Sequence, residues 1–107
     1  MMNKVMKERE KTLNVKWKDE GNGYYSLIGF NKNPFSSGEL AYIAIPEKHP
    51  DINKNYDDFH DLEVNGGLTF GNGNVYGWDY CHAFNSGTSK EDIKEAIKFF
   101  KSRENKK

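Results

Sequence analysis

The chain has 107 residues, a length that fits one domain and leaves no room for a second independent core. Its 16 basic and 16 acidic residues cancel, so no long-range field draws nucleic acid to it and only a local basic patch could do so. The single cysteine, Cys81, excludes an intramolecular disulfide and fits a reducing cytoplasm, and the charged stretch Met1 to Lys11 lacks the apolar run of a signal peptide or membrane span.

In chain order, residues 1–12 carry charges of both signs around isolated Val5 and Met6, which reads as a flexible or weakly helical N-terminal arm with little order. From Leu13 the pattern turns to period two: Leu13, Val15 and Trp17 alternate with Asn14, Lys16 and Lys18, as in a half-buried strand. The Gly- and Asn-rich run Asp19 to Gly23 supplies a hairpin turn, and Tyr24 to Phe30 is the returning strand. Residues 31–38 read as a loop. Glu39 to Ile45 is almost continuously apolar, the composition of a central strand buried on both faces, and Pro46 ends it because proline cannot donate to a ladder.

The polar connection from Pro46 to Asp61 holds His49, Tyr56, Phe59 and His60, and a loop of that length in a small domain is usually functional. Asp61 to Phe70 reads as a strand interrupted at Gly66-Gly67, Gly71 to Asn74 as a hairpin turn, and Val75 to His82 as the last strand. Thr88-Ser89-Lys90-Glu91 forms a capping box. The helix it starts carries Ile93, Ala96, Ile97 and Phe100 on one stripe, with Lys94, Glu95, Lys98 and Lys101 toward water. The expected fold class is therefore α+β: a small antiparallel sheet of about five strands with one C-terminal amphipathic helix packed on it. Residues 13–103 form the single domain and 104–107 a frayed tail.

The residues that bear chemistry gather in two runs, Asn65-Gly66-Gly67-Leu68-Thr69-Phe70 and Tyr76 to Asn85, which a hairpin would set side by side. Gly66-Gly67 reads as a structural bulge, with exposed amides for an anion as the competing reading. Asp79, His82 and Asn85 recur every third residue, so a metal site or a His–Asp general-base pair has to be weighed. On a strand, however, positions three apart face opposite ways, and a neutral Asn is a poor ligand. Cys81 next to His82 invites a nucleophile reading, which the same alternation opposes in favour of a buried, inert thiol. His49 and His60 belong to no metal-ligand spacing, and an exposed histidine without partners is the plain expectation for both. Tyr24, Tyr25, Tyr42, Trp78 and Tyr80 could stack on nucleobases, although most must be core in so small a domain.

Tyr42 to Asn85 resembles a widespread group of small phage-encoded proteins. Their pattern runs from Tyr-x-x-Ile-Pro-x-x-His-Pro to His-Gly-Gly-Leu-Thr-Tyr/Phe and then Gly-Phe-Asp-x-x-His-x-x-Asp. Tyr42 to Pro50 matches the first part, Asn65 to Phe70 the second with Asn65 in place of histidine, and Gly77 to Asn85 the third with Trp78 for Phe and Asn85 for Asp. The resemblance implies a sponge that binds and sequesters a nucleotide signal of bacterial immunity, of the cyclic dinucleotide or cyclic ADP-ribose type. Loss of two titratable groups, at Asn65 and Asn85, weakens a catalytic reading of this chain.

Residues and resemblance together single out Tyr42, His49, Asn65, Gly66, Gly67, Thr69, Trp78, Asp79 and His82 as the candidate ligand-binding set, with Lys32, Lys48 and Lys54 as loop cations for its phosphates. No catalytic residue, metal ligand set or cofactor is assigned. The leading expectation is a phage-encoded anti-defence protein in the host cytoplasm, acting as a homo-oligomer and touching neither membrane nor sequence-specific nucleic acid. The alternatives are an inhibitor that blocks a host protein through its surface and a small hydrolase using Asp79 and His82.

Overall fold

A computed structural model of the chain describes residues 4–21, 23–31, 39–55, 58–59, 62, 68–79 and 89–104. Its elements are helix α1 (Lys4–Thr12), strands β1 (Leu13–Gly21), β2 (Tyr24–Asn31), β3 (Glu39–Ala44), β4 (Phe70–Asn72) and β5 (Val75–Asp79), and helix α2 (Ser89–Ser102). The five strands make one antiparallel sheet in the order β1-β2-β3-β5-β4, so β5 is inserted between β3 and β4. This is the expected α+β architecture, with a second helix at the N-terminus. No described helix is long and apolar enough to cross a membrane.

Strand alternation divides the apolar residues between two faces. On one, Ile28, Ala41, Ile43, Tyr76 and Trp78 meet Ile93, Ala96 and Phe100 of α2 together with Phe59 and Leu62. On the other, Leu27, Tyr42, Ala44 and Val75 pack with Met6 of α1. The C-terminal stripe read from the sequence is therefore the one that α2 buries, and β3 is covered on both sides because a helix lies over each face. Phe59 sits edge-on to Tyr76, Phe99 and Phe100, and Tyr76 stacks on Phe100 with ring planes 16° apart. This ring cluster joins Tyr76 of β5 to Phe99 and Phe100 of α2 through Phe59.

Four features differ from the sequence reading. The N-terminal arm is helical rather than weakly ordered: Met6 is fully buried, and Glu10 takes a hydrogen bond from Lys18 at 2.9 Å and from the Tyr25 hydroxyl at 3.4 Å. The alternation of Leu13, Val15 and Trp17 does not mark one face. Val15 pairs with Gly29 but Trp17 with Ile28, so Lys16 is an extra residue in a bulge. The insertion turns the strand over: Leu13 faces α1, Trp17 packs on the α2 side, and Val15 is left 39% exposed.

The strand expected over Asp61 to Phe70 is confined, among the described residues, to Phe70–Asn72. Leu62 is turned by its N–H to the Phe59 carbonyl and fills the α2-side core instead. The fourth difference concerns the Pro46 to Asp61 connection, where His49 and Asp51 are buried. Thr88 and the 31–38 loop apart from Asn31 lie outside the described residues.

Candidate functional site

The β4–β5 hairpin joins the two runs that the sequence singled out. Phe70 pairs with Gly77, Gly71 with Tyr76 and Asn72 with Val75, and the Thr69 N–H donates to the Gly77 carbonyl at 2.9 Å. Gly73, at φ 62°, opens the two-residue turn, a conformation that glycine adopts without strain. Next to it, Gly77 must lack a side chain. A Cβ there would lie 2.5 Å from Tyr42 Cδ1 and 2.7 Å from Cε1, because the Tyr42 ring rests on the bare backbone and meets Phe70 edge-on at 5.3 Å. One packing contact thus unites all three parts of the pattern: Tyr42 from the first, Phe70 from the second, Gly77 from the third.

Trp78 and Tyr42 are 1% and 6% exposed, so both rings serve the core. Thr69 is exposed, and the backbone of Asp79 pairs with Leu40 at the same end of the sheet. Asn65, Gly66, Gly67 and His82 lie outside the described residues, as do Cys81, Asn85 and His60, and nothing is described of the Asp79 side chain. Among the described residues, no three His, Cys, Asp or Glu side chains cluster as a metal ion would need.

At the opposite end of the sheet, residues 45–55 are bolted to the hairpin tip and to the end of α2. Ile45 N–H donates to the Asn74 carbonyl, Asn74 Nδ2 donates back to the Ile45 carbonyl at 2.6 Å, and the Asn53 N–H reaches the Gly73 carbonyl. His49, which the sequence suggests is exposed, is only 4% so. Its Nδ1 accepts the Asp51 N–H at 3.0 Å, which leaves the proton on Nε2, 2.7 Å from the Phe100 carbonyl to which it donates. Both ring nitrogens are engaged within the chain, and the imidazole is a second donor to a helix-end carbonyl that also accepts the Arg103 N–H at 3.1 Å.

Asp51 is the centre of this clasp. Arg103 grips it sideways, with Nε 2.6 Å from Oδ2 and a terminal nitrogen 3.2 Å from Oδ1, and Lys54 Nζ lies 2.8 Å from Oδ1. The Arg103 guanidinium also lies over Phe59 and Phe99, 5.7 and 5.3 Å from their ring centres. Burial pushes the Asp51 carboxyl up, but hydrogen bonds and charge from Arg103 and Lys54 outweigh it and hold the group below the usual carboxylate range.

The Tyr76 hydroxyl donates to the Asp51 and Lys54 carbonyls at 2.7 and 2.9 Å. Burial, reinforced by the Asp51 and Asp58 charges, pushes that phenol up to about 12. Burial and then the Glu104 carboxylate, 2.6 Å from its hydroxyl, push the Tyr24 phenol up as well. Of the three loop cations, Lys54 is therefore committed to Asp51, Lys48 is exposed, and Lys32 lies outside the described residues.

No family model, curated protein or solved structure matches this chain. What the described part of the molecule offers is thus read from its own geometry. A polar clasp at one end fastens the long loop to the hairpin tip, and the hairpin's open end sets Thr69 beside Gly77. Sequence reasoning missed Asp51 and Arg103, which are 52 positions apart and give no local signal. The one hint is Asp51 with Lys54 at a spacing of three.

Proposed function

We propose that the protein is a phage-encoded anti-defence protein that binds a host nucleotide immune signal, of the cyclic dinucleotide or cyclic ADP-ribose type, and sequesters it uncleaved in the host cytoplasm. The observation that carries this reading is the hairpin register, with Thr69 beside Gly77 and Tyr42 resting on that glycine. It supports a binding end at Thr69 and Asp79, where β4 and β5 open away from the turn. Pairing of two copies would let so small a domain enclose its ligand.

The test is to incubate the protein with mixed cyclic dinucleotides, cyclic trinucleotides and cyclic ADP-ribose isomers, desalt it, release bound molecules by heat and identify them by mass spectrometry. One species enriched and intact is the expected result. Cleavage products would make the protein an enzyme, and an empty release would overturn nucleotide sequestration in favour of an inhibitor that blocks a host protein.

A further inference from the structure

Helix α2 carries a charge asymmetry that its role in the core does not use. Lys90, Lys94, Lys98 and Lys101 are all exposed, and spacings of four, four and three place them along one flank of the helix. Successive members rise by about 6, 6 and 4.5 Å, from about 1.5 Å per residue. Glu91 and Glu95 fall about 100° further round, from 3.6 residues per turn, so the acids lie on the neighbouring flank.

The lysine flank is the one turned toward β1 and β2: Lys90 Nζ lies 5.5 Å from the centre of the Trp17 ring and Lys101 Nζ 6.0 Å from that of Tyr24. Among the described residues none of the four lysines has a carboxylate within ion-pair distance. Their like charges are therefore left to repel one another in a chain with enough acid to neutralise them.

Half-buried rings line the same face of the sheet. Trp17 reaches it because of the bulge at Lys16, and Phe30, two positions beyond Ile28 on β2, projects from it and is 40% exposed. Lys16 lies over Phe30 at 5.9 Å, tied at 2.5 Å to Glu39. A single file of cations beside stacking rings is the arrangement that holds an unpaired nucleic acid strand, whose phosphates follow one line and whose bases offer π-faces to any ring.

We infer that the flank of α2 facing β1 binds single-stranded nucleic acid without sequence preference, the phosphates lying on Lys90, Lys94, Lys98 and Lys101 and bases resting against Trp17 and Phe30. Its rings stand on β1 and β2, across β3 from the hairpin assigned to the nucleotide signal, and its variants on α2 and β2 leave that hairpin's residues unaltered, so either binding activity can fail without the other.

Fluorescence anisotropy of a labelled oligothymidylate titrated with the full chain tests it. Binding at low salt is expected to weaken on a log–log plot with a slope of about −3, which is four phosphate contacts at about −0.7 each. Lys94→Glu with Lys98→Glu is expected to weaken binding about tenfold or more, whereas Lys7→Glu on α1 leaves it unchanged, circular dichroism showing both variants folded. Phe30→Ala should lower the affinity and keep the slope. Absence of binding at low salt, a charge-reversed variant that binds like the parent, or equal displacement by polyglutamate and by unlabelled oligothymidylate would each overturn the assignment.

Discussion

At Gly77 the space that a methyl group would need is already filled by the Tyr42 ring. Gly77→Ala is expected to destabilise the fold by about 1–3 kcal/mol, the usual cost of overpacking, measured as a lower denaturation midpoint at unchanged slope. Ser26 presents the opposite case. Its hydroxyl is fully buried and, among the described residues, has no hydrogen-bond partner. Ser26→Ala should leave stability equal or raise it by up to about 1 kcal/mol, since an unmet polar group is removed with little change of volume. A loss of that size instead would reveal a bond that the geometry does not show. Asp51→Asn should cost about 1–3 kcal/mol, discounted from a fully buried pair because Arg103 and Lys54 still reach solvent. Thermal melts of D51N beside R103M would check it, since the second variant leaves the aspartate with Lys54 alone.

Among the elements, β1 owes its two-sidedness to one inserted residue. Deleting Lys16 would make Val15–Gly29 and Trp17–Ile28 consecutive pairs and so remove the bulge with every facing kept, whereas Lys16→Ala keeps the bulge and removes only an exposed cation. Both variants are expected to fold, the substitution at a cost of less than about 1 kcal/mol, which urea titration of the pair would check. The same residue explains where sequence reading succeeds and where it stops. Strands β2 and β3 and helix α2 are legible because their apolar residues form an aromatic and aliphatic run, an almost continuous run, and spacings of three and four. Strand β1 is legible as a strand but not in its facing, because a bulge is a property of the pair and Lys16 looks like any other surface lysine. Strand β4 is overextended by the reading because Leu62 and Leu68 are apolar for the sake of the α2-side core, not for a ladder. At the candidate site, the juxtaposition of Thr69 with Gly77 follows from the hairpin turn. The burial of His49 does not, for its partner is a helix-end carbonyl 51 positions away.

For the molecule as a whole, the titrating groups of the clasp set the pH range of stability. The Asp51 carboxyl is lowered from its ordinary value of 3.8, so its contribution is complete above that pH and is lost as pH falls through the lower folded value. The Tyr76 phenol is raised from 10.0 to about 12, so its contribution is complete below pH 10.0 and is lost as pH rises toward about 12. Tyr24 acts in the same direction. Denaturant midpoints taken across pH should therefore form a plateau with an acid and an alkaline limb, and D51N should flatten the acid limb alone. An unchanged acid limb in that variant would mean that other carboxylates control it.

The strand order carries one more consequence, for the chain as it is being made. Strand β3 is the most continuously apolar segment, and its second neighbour is β5, which begins at Val75, roughly thirty residues after β3 ends at Ala44. At ribosomal speeds of about 5–20 residues per second, the outer edge of Leu40 to Ala44 stays unpaired for seconds before β5 can cover it. Throughout that interval the nascent chain offers other chains an open, greasy strand edge. Newly made copies crowded on one message are the first such chains it meets, so yield in an overexpressing cell should depend on how quickly β5 follows β3 out of the ribosome.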